Sequence, residues 1–245
     1  MDFDGWAEVY DIIYTGHKND VPFYLKEAEK AGGNVLELAC GTGRIYLEML
    51  KRGINAYGID ISAGMLAALR KKARSMGLKP AVKKADMRTF RFRHRFSLII
   101  IPFSSFLHNL ETGEQIKALK NIRKHLKPGG RLVLDFFLPS PDIMANHYGR
   151  DNKRTVKKGG SSYTLVSRSV FADEPNQIVK TRQVLKKNNR TIWRDSFTIA
   201  LIYKREFELL LKAAGFTRYR VYGGFNHKPL RPRSSEQQMV WEVRK

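Results

Sequence analysis

Cysteine is nearly absent: Cys40 stands alone among 245 residues. A single thiol excludes a disulfide framework and fits a reducing compartment. Long apolar runs are missing as well, since none approaches the ~18 residues of a membrane-spanning helix. The start, Met1-Asp2-Phe3-Asp4, is acidic and lacks the apolar core of a signal peptide. Together these features make the cytoplasm the expected compartment, with no membrane partner. The six histidines, His17, His94, His108, His125, His147 and His227, share no metal-ligand spacing, so no metal is expected. Acidic residues are scarce: 23 Asp plus Glu stand against 45 Lys plus Arg, a net charge of +22. Such a field draws polyanions and keeps copies of the chain apart. Non-specific nucleic-acid affinity at low salt and a monomer or dimer follow as expectations.

What is present is a globular composition, 42% hydrophobic, in a length that suits one large domain or a domain with an insert. The organising stretch is Val35-Leu36-Glu37-Leu38-Ala39-Cys40-Gly41-Thr42-Gly43-Arg44. A strand-like apolar run ends in a turn of small residues, and a helical pattern follows. Gly41 and Gly43 permit backbone angles closed to other residues and let the main chain approach a ligand. Helix-start N–H groups then face a polar or anionic group. Asp60 closes the next apolar run, where a carboxylate suits the two hydroxyls of a ribose. A dinucleotide fingerprint would need a third glycine where Tyr46 stands, and a phosphate-binding P-loop would need a Gly-Lys-Ser/Thr that never comes.

Around this turn the chain alternates. Strands are expected at 34–39, 55–59 and 81–84, with helices at 44–51 and 63–76. This βαβα order argues a parallel sheet covered on both faces. The most apolar run, 96–101, reads as a buried central strand that ends in Pro102-Phe103-Ser104-Ser105 and then His108. That is the carboxyl end of a strand, where open α/β sheets place their ligands. A helix over 113–126, a turn at Lys127-Pro128-Gly129-Gly130 and a fifth strand over 131–138 follow. The basic run 83–95 interleaves with Phe90, Phe92 and Phe96, which suits either nucleic acid or, as favoured here, phenylalanines docked on the core. Beyond residue 139, three antiparallel strands are expected at 161–171, 178–186 and 191–202. A helix over 204–214 and strands at 216–222 and 238–243 complete the chain.

Four stretches carry a family resemblance: Glu37 to Gly43, Asp86-Met87-Arg88, Leu126-Lys127-Pro128-Gly129-Gly130, and the closing helix with Ala213-Ala214-Gly215-Phe216. In this order they resemble the class I S-adenosylmethionine-dependent methyltransferases, over roughly residues 30–138 plus the final segment. More loosely, the chain is similar to glycine and amino-sugar N-methyltransferases. The resemblance implies an α/β fold, a seven-stranded class I sheet with helices on both faces and an antiparallel insert after strand 5. Residues 1–138 and 204–245 would form the cofactor domain, and 139–203 the substrate side. It implies S-adenosylmethionine as cofactor, held by Tyr14, Glu37, Ala39, Gly41, Thr42, Gly43, Arg44, Asp60, Ile61, Met65, Asp86, Met87, Pro102 and Phe103. In the family the carboxylate matching Asp86 accepts from the adenine amine. The expected reaction is methyl transfer to N or O of a small molecule, with His108 as general base. RNA methylation is the second reading, raised by the charge, and a cofactor-binding protein without catalysis the third. Against methylation of nucleobase amines, Ile101-Pro102-Phe103-Ser104 lacks the polar first residue and second proline of the Asn/Asp-Pro-Pro-Tyr/Phe motif. Against cytosine C5 chemistry, the sole cysteine lies in the cofactor turn, where it reads as a small packing residue.

Overall fold

The computed structural model describes residues 3–17, 19–231 and 238–245. Met1 and Asp2, used above for the terminus, lie outside them. The chain opens with a 3-10 turn (Asp4–Trp6), the one-turn helix α1 (Tyr10–Ile13) and α2 (Val21–Glu29). It continues as β1 (Val35–Leu38), α3 (Tyr46–Lys51), β2 (Ala56–Asp60), α4 (Ala63–Ser75), β3 (Ala81–Lys84) and β4 (Phe96–Ile101). A 3-10 turn (Ser105–His108), α5 (Thr112–His125), β5 (Leu126–Phe137) and α6 (Pro141–His147) follow. Then come β6 (Asn152–Lys158), β7 (Ser161–Asp173), β8 (Ile178–Lys187), β9 (Arg190–Ala200), α7 (Lys204–Ala213), β10 (Arg218–Tyr222) and β11 (Gln238–Arg244).

Seven strands form one sheet in the order β10-β11-β5-β4-β1-β2-β3. Only β11 runs antiparallel to its neighbours. The order reverses between β4 and β1, and that switch point opens a crevice at the carboxyl ends of the strands. Strands buried on both faces read as continuous apolar runs, as β1 and β4 do. On one face α5 and α7 bury Leu119, Ile122, Phe207 and Leu211 against the sheet. On the other, α2, α3 and α4 bury Tyr24, Leu47, Met49 and Leu69. Each such side chain contributes about 1.5–3 kcal/mol by leaving water. Phe90 and Phe96 belong to this core, and Arg91, Arg93 and Arg95 beside them are exposed.

The second sheet, β6-β7-β8-β9, is antiparallel and lies between β5 and α7 in the chain. It has four strands where three were expected. In β6 the sequence Asn152-Lys-Arg-Thr-Val-Lys-Lys buries only Val156, so it carries no alternation to read. Helix α6 was also unread, although Ser140 caps it through its side chain and Pro141 opens it. Ahead of α2 the described lead-in residues form only the 3-10 turn and the one-turn α1. At β5 the pairing begins at Leu126, ahead of the expected turn, with an irregular step between Phe96 and Leu98. Among the described residues no helix is long and apolar enough to cross a membrane.

Candidate active site

A cavity of about 950 Å³ lies between the carboxyl ends of β1, β2, β4 and β5 and the inner face of the second sheet, with lead-in residues Phe3, Trp6, Tyr10 and Tyr14 along it. Its floor is the turn after β1. Ala39 and Gly41 both take left-handed backbone angles (φ 55° and 53°) and line the cavity. A Cβ added at Gly41 would meet nothing within 4 Å, so this side is open to a ligand. Gly43 differs. A Cβ there would lie 2.9 Å from both Leu47 and Leu69, so this glycine serves the packing of α3 on α4.

Asp60 holds the floor in place. Its carboxylate accepts from the Gly41 N–H at 2.8 Å and the Ser62 N–H at 2.9 Å. Burial pushes its pKa up against those hydrogen bonds. Ser62 caps α4, accepting from the Met65 N–H at 3.0 Å. Asp4 of the lead-in accepts from the Ser62 hydroxyl at 2.5 Å and the Gly64 N–H at 2.8 Å. Asp11 accepts from Thr42 Oγ1 at 2.6 Å and from Lys72 at 2.8 Å. The second sheet grips the same segment, with Trp193 Nε1 donating to the Gly5 carbonyl at 3.0 Å and Arg154 to that of Ile13 at 2.6 Å. The lead-in is therefore tied to both sheets across the cavity.

At the end of β3, Asp86 and Met87 line the cavity. Burial opposes ionisation of Asp86, but its hydrogen bonds from Arg88 win and hold the carboxyl below its usual pKa. Arg88 also pairs with Glu114, which accepts from the Leu110 N–H at 3.0 Å. At the end of β4, Phe103 and Ser104 both adopt left-handed angles (φ 59° and 58°), at a cost of roughly 1–2 kcal/mol each. Asp135 of β5 offsets that cost. Its Oδ1 accepts from the Phe103 N–H at 2.9 Å, and its main-chain carbonyl from Ser104 at 3.1 Å. Tyr24 donates to the same Oδ1 at 2.5 Å, and Gln238 donates to Oδ2. Burial lifts the Asp135 pKa to about 6 despite these donors. The Phe103 ring meets Tyr14 edge-on, 5.0 Å between centroids, with the Arg44 guanidinium 5.1 Å from its own centroid.

His108 sits under the second sheet, its Nδ1 3.1 Å from the Thr198 carbonyl. A carbonyl only accepts, so Nδ1 carries the proton and Nε2 is the acceptor of the neutral ring. Phe3 packs edge-on against the ring at 5.1 Å. Burial pulls its pKa below the usual 6.5. Opposite, Ser169 and Thr181 share a hydrogen bond of 2.9 Å on the cavity's insert side.

Of the residues singled out in the sequence, Tyr14, Ala39, Gly41, Asp60, Ile61, Met65, Asp86, Met87, Phe103 and His108 line this one cavity. Glu37, Thr42, Gly43, Arg44 and Pro102 do not. Glu37 is buried beneath it, its pKa raised by burial and its Oε2 without a partner. Thr42 and Arg44 anchor the lead-in, Arg44 through two hydrogen bonds of 2.5 and 2.6 Å to Asp20. Asp135 was missed, although an Asp between Leu134 and Phe136 in an apolar strand is itself a signal. Among the described residues no group of His, Cys, Asp or Glu gathers to hold a metal ion.

A seven-stranded sheet with one reversed strand, a glycine turn at its switch point and a carboxylate closing β2 make up the fold of the class I S-adenosylmethionine-dependent methyltransferases. Residues 35–130 match the profile of a methyltransferase domain. Among the relatives, the dTDP-3-amino-3,4,6-trideoxy-alpha-D-glucopyranose N,N-dimethyltransferase of Streptomyces venezuelae is 26% identical over 89% of this chain and 92% of its own. The cypemycin N-terminal methyltransferase of a Streptomyces species is 28% identical over 86% and 83%. Among solved structures, Streptomyces venezuelae DesVI superposes with a TM-score of 0.75 at 25% identity, covering 97% of this chain and 98% of that one.

Proposed function

We propose that the two halves of the cavity divide the labour: the main-sheet half holds S-adenosylmethionine, and the insert half, residues 139–203, holds a small polar amine that becomes methylated. The observation that carries the first half is the Gly41–Asp60 pair, an open glycine beside a buried carboxylate at the switch point. In this reading Asp60 meets the ribose hydroxyls, Asp86 and Met87 flank the adenine, and Ile61 and Met65 give apolar contact. Tyr14 and Phe103 close over the methionine end, while Thr42 and Arg44 act through the lead-in they anchor. The open space above Gly41 fits such a ligand. The printed activities of the relatives, N-methylation of amino sugars and of a peptide N-terminus, support nitrogen as the acceptor atom. The lone buried thiol supports a cytoplasmic setting.

S-adenosylmethionine supplies a methyl already activated on a sulfonium, so the chain's task is alignment and proton removal. The insert offers the hydroxyls of Ser169 and Thr181 to a polar acceptor. His108 Nε2, the accepting nitrogen of a neutral ring, takes the proton that the amine sheds. Asp60, Asp86, Glu114 and Asp135 all face the cavity. Arg88, also in the lining, pairs with Asp86 and Glu114, which leaves Asp60 and Asp135 as the carboxylates of this lining without an ion pair among the described residues, and these favour a cationic or neutral acceptor over RNA.

Calorimetry tests the cofactor half. S-adenosylmethionine and S-adenosylhomocysteine should bind, with NAD and ATP not binding comparably; equal NAD binding would sink the assignment. Hydrogen bonds to a charged carboxylate contribute ~1.5–3 kcal/mol each. Asp60→Ala should therefore weaken the cofactor on the order of 10–100-fold. Asp60→Asn, which keeps one acceptor for the Gly41 and Ser62 amides, separates ligand contact from loss of the turn. Unchanged affinity in both folded variants removes Asp60 from the site.

A further inference from the structure

The second sheet has another face, turned away from the cavity. Strand alternation places Lys153 on β6, Arg168 on β7, Lys180, Arg182 and Lys186 on β8, and Arg194 on β9 along this outer side. Register brings them together. Arg168 lies directly opposite Arg182. Lys153 faces Val166 and Arg194 faces Val184, each one diagonal step from those arginines. Directly opposed residues sit about 4.5–5.5 Å apart at Cβ and diagonal neighbours about 7–8 Å, so the six form one continuous cationic field. Like charges placed opposite one another destabilise a sheet. Little in the protein relieves them. Asp151, 4.0 Å from Arg168, is the one carboxylate paired with any of the six among the described residues. The other five side chains have no ion pair or hydrogen bond there.

The face is also selective in what it lacks. Tyr163, Phe171, Trp193 and Phe197 all alternate to the inner side, so no ring stands among the cations. Its apolar members are Val166, Val170 and Val184, with Ile192 exposed at the irregular step of β9, too few and too scattered among the cations to anchor in a bilayer.

We propose that this outer face docks the phosphate backbone of double-stranded nucleic acid, separately from the methyl-transfer cavity. A duplex offers one phosphate per 3.4 Å of helix axis on each strand, a dense line of negative charge that a row of arginines and lysines can follow. Arginine forks match phosphate oxygens in pairs. Single strands are held largely by stacking on aromatic rings, and this face offers none, so binding reads charge and not sequence. The duplex is a partner and not the methyl acceptor, because the cavity lies on the opposite face of the sheet from these cations.

The experiment measures binding of the full chain to a random-sequence DNA duplex across a salt series. Each phosphate contact contributes about 0.9 to the slope of log K against log salt. Arg168→Gln, Arg182→Gln and Arg194→Gln together should lower that slope by about 2.7. A control with the same loss of charge, Lys71→Gln, Lys79→Gln and Lys212→Gln on the exposed surface of α4, its following loop and α7, should leave it nearly intact. S-adenosylhomocysteine affinity checks that both variants fold. Equal losses in the two variants would overturn the proposal in favour of the field of the whole molecule. So would a face variant that keeps duplex binding but loses phosphatidylserine vesicles, or one that binds unchanged.

Discussion

Replacing His108 with alanine is expected to lower turnover by ~10²–10⁴-fold, the usual span for a positioned general base, with little change in cofactor affinity. The hydrogen bond to the Thr198 carbonyl fixes the tautomer and aims Nε2 as an acceptor. The ring works as a base only when neutral. Burial draws its pKa below 6.5, so the wild-type rate should fall only as the pH drops beneath that value. The variant should lose this acidic limb. An amine acceptor that titrates on its own would give a limb in both proteins, and for that reason the comparison decides. Near-normal turnover with the same profile in His108→Ala would leave alignment as the whole of catalysis.

Asp135 is expected to tie stability to pH. Its folded pKa is raised from 3.8 to about 6, with burial as the leading cause. A carboxyl raised on folding binds its proton more tightly in the native chain. Its contribution is fully present below its unfolded pKa and lost as the pH rises through 6. Two pH decades at ~1.4 kcal/mol each give about 3 kcal/mol. Asp135→Asn keeps an oxygen for the Phe103 N–H and Tyr24, and Gln238 can turn its amide to accept. Urea unfolding at several pH values should show wild type losing on the order of 3 kcal/mol relative to the variant between pH 4 and 6.5. Other carboxyls, such as Glu27 and Asp86, shift in the opposite direction, so only the difference between the two proteins isolates Asp135. A flat difference would mean that this buried carboxyl titrates as it does in water.

Most of the main sheet was legible because its signals are local. An apolar run, a glycine turn and a carboxylate closing the next run are all written within thirty residues, from Val35 to Asp60. The helices of that sheet announce themselves in the same way, by apolar spacing. What lay hidden depends on partners far apart in sequence. Asp135 reads as one polar residue in a strand until Tyr24, 111 positions away, is seen donating to it. Asp86 reads as a free acceptor until Arg88 and Glu114 close around it. The lead-in's role rests on Asp4 and Asp11, whose partners Ser62 and Lys72 lie 58 and 61 positions on. Strand β6 was unreadable for another reason: an edge strand with one buried side chain has no pattern to carry.

The cysteine that began as a scarcity ends as a reporter. Cys40 is 3% exposed, and a Cβ added at Gly58 would lie 2.9 Å from its sulfur, so the thiol fills the space which that glycine leaves on β2. Burial also drives its pKa far above the usual range, suppressing the thiolate that reagents attack. Alkylation at this one position therefore waits for β1 and β2 to separate. Since the turn above it is the cavity floor, a molecule that braces Gly41 against Asp60 lengthens that wait. The labelling half-life then gauges occupancy of the cavity without any assay of the chemistry.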